Sequence, residues 1–205
     1  SLALDSGGRL ESWGRPLGAA PAPPPQTRWT ALAAGDHHAL ALRSDGHLAG
    51  WGDNTCGQAA PPKPPAGRRF TALAAGAHFS LALLDDGTAI GWGRDDRGQV
   101  SGIPAPKNRR ITALAAGGAF SLALLDDGTL RAWGDNSQGQ CTLPAIPPGA
   151  RVEQIAAGRA FGLALLDDGT LLAWGDNRRE QCRVPTLPAG RTILAAIAGA
   201  DHTLL

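Results

Sequence analysis

Residues 111–144 read ITALAAGGAFSLALLDDGTLRAWGDNSQGQCTLP, and the fold follows from how this stretch divides. Its first run, Ile111 to Ala116, is apolar and ends at Gly117, a residue able to take a turn conformation that a Cβ would resist. The second, Phe120 to Leu125, is almost continuously apolar and too short for a helix of three turns, so it reads as a buried strand. Asp127-Gly128, flanked by apolar runs, predicts a two-residue hairpin with both residues at positive φ. A third strand, Thr129 to Trp133, runs back. A polar loop then covers Asp135 to Gly139, and Gln140 to Leu143 reads as a short edge strand ended by Pro144, which cannot donate to a ladder.

The same pattern recurs along the chain. Trp-Gly returns every 41 residues at Trp51, Trp92, Trp133 and Trp174, with an earlier copy at Trp13. Gly35, Gly76, Gly117, Gly158 and Gly199 keep the same step, as do the hairpin pairs at Gly46, Gly87, Gly128 and Gly169. A further marker, Gly-Gln, stands at Gln58, Gln99 and Gln140. A period of this length means stacked copies of one unit. The array divides into a degenerate partial unit at 1–28, full units at 29–69, 70–110, 111–151 and 152–192, and the start of another at 193–205.

Three or four short antiparallel strands, apolar on both faces, need a neighbour on either side. The expectation is an all-β chain, a β-propeller of short antiparallel blades. The repeat tryptophans become packing elements between blades, and Trp29 a core residue at the register of Phe70, Ile111, Val152 and Ile193. About five blades are present. Because the chain starts and stops inside the same predicted strand, it forms either a small closed ring or, the favoured reading, an arc of a larger propeller. With Ser1 first and no methionine, the natural start is expected to lie outside the chain.

The series AAG, LALLDDGT, WGDN and GQ resembles the regulator of chromosome condensation repeats, over nearly the whole chain. The compact period is closer to that of the bacterial beta-lactamase inhibitor protein of the same architecture. The resemblance implies a propeller whose broad face binds another protein, in settings that include nucleotide exchange on the small GTPase Ran, accessory domains of HECT-type ubiquitin ligases, a plant photoreceptor and a secreted enzyme inhibitor. The expected function is non-enzymatic protein binding. Nucleotide exchange on a small GTPase and substrate binding for a ubiquitin ligase are the alternatives, with enzyme inhibition behind them.

Composition narrows the classes. Nineteen basic against 18 acidic residues leave a net charge of +1, too weak a field to hold a phosphate backbone, so no nucleic acid is expected. No run is apolar enough for a membrane span. Three cysteines, Cys56, Cys141 and Cys182, do not make a disulfide framework and suit a cytoplasmic or nuclear setting. Nucleophile-elbow, zincin and phosphate-loop signatures are missing from the sequence, so no catalytic residue, cofactor or metal is expected; the Asp85-Asp86, Asp126-Asp127 and Asp167-Asp168 pairs belong to hairpins.

Function should sit where the repeats differ, because an asymmetric partner requires asymmetry. Variation falls in the loop after each repeat glycine and the loop after each Trp-Gly. The candidate partner-binding residues are therefore His37, His78 and Arg159 in the first loop, and Arg94, Asp95, Asp96, Arg97, Arg178, Arg179 and Glu180 in the second. His38 and His202, at the register of Phe79, Phe120 and Phe161, are expected to be packed, and His37 and His78 to face solvent.

Overall fold

The computed structural model describes residues 2–14, 17–104, 108–186, 188 and 191–205; Ser1, which aligns with Ser121, lies outside them. Every regular element among the described residues is a strand, and no helix is long and apolar enough to cross a membrane. In chain order the strands are β1 (Leu2–Leu4), β2 (Leu10–Ser12), β3 (Trp29–Ala34), β4 (His38–Arg43), β5 (Leu48–Gly52), β6 (Phe70–Ala75), β7 (Phe79–Leu84), β8 (Ala89–Gly93), β9 (Ile111–Ala116), β10 (Phe120–Leu125), β11 (Leu130–Gly134), β12 (Val152–Ala157), β13 (Phe161–Leu166), β14 (Leu171–Gly175), β15 (Ile197–Ala198) and β16 (Thr203–Leu204). They form antiparallel blades β3-β4-β5, β6-β7-β8, β9-β10-β11 and β12-β13-β14, flanked by two-stranded sheets β1-β2 and β15-β16.

Each blade is an up-and-down sheet in one register. In the third, Leu122 stands between Ala115 of β9 and Ala132 of β11. All six residues of β10 are buried, since its two faces meet the blades on either side. The cores accordingly lie between blades. Phe120, Leu122, Leu124 and Leu130 share a cluster with Val152, Ala164, Leu166 and Trp174 of the next blade, and Phe79, Leu81 and Leu83 share one with Ile111, Ala123, Leu125 and Trp133. The first strands β3, β6, β9, β12 and β15 pack successively against one another around a common axis.

The blades trace an arc. Among the described residues β1-β2 and β15-β16 remain separate sheets at its two ends, so the closed five-bladed ring is not formed. Trp29, Phe70, Ile111, Val152 and Ile193 are all buried, as their shared register requires.

Several local expectations are corrected. The hairpin has three loop residues: Leu125 N donates to Thr129 O, Gly128 N donates to Leu125 O, and of the loop only Gly128 takes a positive φ, 81°. This is a tight turn followed by a left-handed glycine, and Asp127 needs no special backbone because its carboxylate caps the turn by accepting from Thr129 N. Thr129 thus closes the turn opposite Leu125, and β11 runs one position later than the expected third strand.

Gln140 to Leu143 is a turn, so the blades have three strands. The buried Gln140 side chain accepts from Gln138 N and donates to Asp135 Oδ2, both at 2.8 Å, which folds the segment onto itself. The repeat glycines are also not at positive φ. They are glycines because of crowding: a Cβ on Gly117 would lie 2.2 Å from Cε1 of Phe120 and 2.6 Å from Gly158 O of the next blade.

Candidate protein-binding face

The conserved geometry between blades is built around a buried glutamine whose carbonyl faces the next repeat. Trp92 Nε1 donates to Gln58 O (2.8 Å), Trp133 Nε1 to Gln99 O (2.9 Å) and Trp174 Nε1 to Gln140 O (2.9 Å), each 34 residues back. Ser80, Ser121 and Thr203 hydroxyls donate to Gln58, Gln99 and Gln181 carbonyls. Both partners of an otherwise costly buried carbonyl thus come from the following blade. Trp133 and Trp174 are buried and Trp92 half-buried in such junctions, and Trp51 is buried in a purely apolar one with Leu2, Leu4, Leu10 and Leu17, whereas Trp13 is 58% exposed, contrary to its expected packing role. Gly-Gln is periodic in the sequence, but only the structure gives the glutamine its task; its place in step with the Trp-Gly repeat is the available signal.

This scaffold brings both variable loops to one face. Asp53 N donates to His37 O, Arg94 N to His78 O, Asp135 N to Ala119 O and Asp176 N to Ala160 O, so the loop after Trp-Gly is bonded to the loop after the repeat glycine in every full repeat. Adjacent blades are zipped together there as well, through Ala77 N to Gly117 O, Gly118 N to Arg159 O and Arg159 N to Ala200 O. All ten candidate residues therefore share a face, in two groups.

At the junction of the first two full blades, the His37 and His78 rings lie 6.4 Å apart, and His78 Nδ1 is 4.0 Å from Asp53 Oδ2. His37 is exposed, but His78 is half-buried rather than solvent-facing. Beneath them His38 is fully buried, its Nε2 2.9 Å from Ser80 Oγ. The serine spends its proton on Gln58 O, so the imidazole donates from Nε2 and leaves a bare Nδ1 with no partner. Burial first, then the charge of His78, lowers the His38 pKa to about 4 against the pull of Asp53 and Asp36. His202, at the same register, is exposed, because no described blade covers it.

The loop after Trp92 carries the next charges. Arg94 pairs with Asp96 at 2.7 Å and Arg97 is exposed. Asp95 serves the loop itself: its carboxylate accepts from Val100 N and Ser101 N, as Asn54, Asn136 and Asn177 accept from Ala59 N, Cys141 N and Cys182 N. It is a structural equivalent of asparagine.

The second group lies at the other end of the arc. Arg159 and Arg179 converge on Asp201 at 3.9 and 3.7 Å, Arg178 pairs with Asp176 at 2.9 Å, and Glu180 with Arg183 at 3.1 Å. Glu180 holds a left-handed φ of 60° where Gly57, Gly98 and Gly139 stand in the other repeats. The arginines and Glu180 of these pairs are exposed, so the pairs contribute little to folding. Their side chains remain available to a partner.

The opposite face holds charges the sequence reading did not single out. Arg68 meets Asp85 and Asp86, and Arg109 meets Asp127, these hairpin carboxylates pairing with an arginine of the connection that arrives from the preceding blade. The Arg-Arg doublets at 68–69 and 109–110, spaced by the period, were the signal. Among the described residues no group of three or more His, Cys, Asp or Glu is placed to hold a metal ion.

Comparison with known proteins agrees with this architecture. The regulator of chromosome condensation (RCC1) repeat matches residues 29–58, 70–99, 111–140 and 152–181. No curated protein matches the chain in sequence. Among solved structures, the ectodomain of the Physcomitrella patens receptor kinase CR4 is similar at 25% identity and a TM-score of 0.72, over 97% of this chain and 53% of that one. Prp20p from Saccharomyces cerevisiae is similar at 25% identity and a TM-score of 0.70, over 84% of this chain and 53% of that one. Human WBSCR16, at 19% identity and a TM-score of 0.72 over 95% of this chain, shares the fold. The chain spans a little over half the length of these structures. Four matched repeats, each ending on the buried glutamine that receives the next blade, place the chain in the regulator of chromosome condensation (RCC1) repeat family.

Proposed function

We propose that the chain is a non-enzymatic protein-binding propeller segment that recognises its partner through the face bearing the paired variable loops. The observation that carries this is the hydrogen bonding of both variable loops in each full repeat to one another, which presents different side chains on a repeated frame. The partner is a protein with its own mixed charges, since the face alternates Arg94 and Arg97 with Asp95 and Asp96, and Arg178 and Arg179 with Asp176 and Asp201. Free thiols at Cys56, Cys141 and Cys182 favour a cytoplasmic or nuclear site of action.

Nucleotide exchange on a small GTPase is the second reading. The likeness to Prp20p supports it, because that protein's binding to Gsp1p and histones has been described. The uninterrupted 41-residue period favours plain binding, since no inserted loop is available to distort a nucleotide site.

Replacing Arg94, Arg97, Arg178 and Arg179 together by glutamate should abolish partner capture by the immobilised chain and leave its melting temperature unchanged. Unchanged capture would refute the assignment of the face. If the chain also accelerates release of labelled GDP from a Ran-type GTPase, exchange replaces simple binding as the function.

A further inference from the structure

The connection from the first full blade to the second reads AAPPKPPAGRR over residues 59–69. Each of Pro61, Pro62, Pro64 and Pro65 fixes its own φ at about −65° and holds the residue before it extended, which sets the run as a polyproline II helix. No residue in it takes a positive φ. Ala59 N donates to Asn54 Oδ1 and Arg68 N to Pro65 O, both at 2.9 Å, so the run is tied down at both ends. Between these ties, among the described residues, the carbonyls of Pro61 to Pro64 and the Lys63 N–H make no hydrogen bond.

A polyproline II helix has three residues per turn, so its side chains form three edges. Pro61 and Pro64 on one edge are half-buried; two periods later Leu143 and Ile146, at the same register, pack on the core between the third and fourth full blades. Pro62 and Pro65 on the second edge, and Lys63 on the third, are exposed. Packing accounts for the inward edge alone. The outward pair nevertheless recurs as Pro21 with Pro24, Pro144 with Pro147 and Pro185 with Pro188, all exposed but the half-buried Pro144, while Ile103 at the register of Pro62 packs inwards. Lys63 adds a charge that Ala22, Pro104, Ala145 and Thr186 at its register lack. We propose that Pro61 to Pro65 is the docking ligand for a protein domain whose polyproline groove is lined by aromatic rings and rimmed by carboxylates. Pro62 and Pro65 lie against the rings, the free carbonyls accept from indole or phenol donors of the groove, and the Lys63 ammonium meets the rim. Docking orders little chain that is not already ordered, which favours affinity. The run includes none of the charged-loop residues, so neither proposal depends on the other.

The test is titration of the 205-residue chain into a panel of isotope-labelled SH3, WW and EVH1 domains, read as chemical-shift changes in each domain. Saturable binding to at least one domain is expected, with shifts confined to its aromatic groove, and the free peptide AAPPKPPAGRR should displace the chain. Pro62→Ala should weaken that binding at least about tenfold, the loss typical of an interface anchor. Lys63→Glu, which reverses the charge facing the rim, should weaken it to a similar extent. Both positions are exposed, so an unchanged melting temperature checks that the fold survives. Pro148→Ala, at an exposed proline outside the outward pairs, should leave binding as it was. No saturable binding to any domain of the panel, no displacement by the peptide, or binding indifferent to both Pro62→Ala and Lys63→Glu would overturn the proposal. So would an equal loss with Pro148→Ala, which would move the contact to another connection.

Discussion

His38 shows how one side chain departs from the repeat at a chemical cost. Phenylalanine fills its register in the next three blades, where Phe79, Phe120 and Phe161 are fully buried, yet the imidazole is held just as deep with Nδ1 unpartnered. Its pKa is lowered from 6.5 to about 4, so between those values the unfolded chain binds a proton that the folded chain refuses. Stability is therefore complete above pH 6.5 and declines as pH falls towards 4, by about 3 kcal/mol at 1.36 kcal/mol per unit. Acidic groups act lower: Asp45, held to about 2 by the Arg43 guanidinium, matters only below the ordinary carboxylate range. Chemical denaturation from pH 7.5 to 4.5 should show the decline, and His38→Phe should flatten it while changing stability at pH 7.5 by no more than about 1 kcal/mol. An unchanged slope would assign the effect elsewhere. The packed position of His38 was legible from its alignment with phenylalanines. Its bare nitrogen was not, because it depends on which neighbour receives the Ser80 proton.

At the scale of the element, the sequence identified β9 and β10 to the residue, since continuous apolar runs bounded by glycine admit one reading. It misjudged the segment after Trp-Gly, where apolar and polar residues alternate as in an edge strand. There Gln140 binds Gln138 N with its side chain, and Asn136 Oδ1 and Gly139 O receive Cys141 N and Thr142 N, the backbone that a ladder would otherwise need; a hydrophobicity pattern carries no trace of that. The same glutamines fix the tryptophans, and the strand pairs predict different costs for one substitution. Trp133→Ala removes a buried ring and leaves Gln99 O with one donor fewer, so it should destabilise by about 3–5 kcal/mol in urea unfolding. Trp13→Ala, at an exposed ring, should cost a small fraction of that. Equal losses would mean that the ring at β2 is anchored as firmly as those between full blades.

For the whole molecule, periodicity disclosed the propeller but left ring and arc open, because a repeat fixes the contact between neighbours and not the number of neighbours. The arc is what the separate end sheets show. The candidate face was likewise half legible: variable loops could be named from the sequence, but their union on one side rests on backbone bonds such as Arg94 N to His78 O. The loop-closing bond of the Asp95 carboxylate to Val100 N, in contrast, has no trace in a list of charged residues.

The spacing of 34 residues between each indole and its glutamine has a consequence for editing the gene. Excising 70–110 as a block joins Arg69 to Ile111 and brings Trp133 to the distance from Gln58 that Trp92 now occupies. Ser121 likewise arrives where Ser80 donates, and Phe120 where Phe79 lies. A chain shortened by one period should fold cooperatively, as circular dichroism melting can check, while a cut of 38 or 44 residues should not. Copy number is then the freely inherited variable: blades can be lost or gained in whole units without any compensating substitution, and the curvature of the surface offered to a partner changes with each.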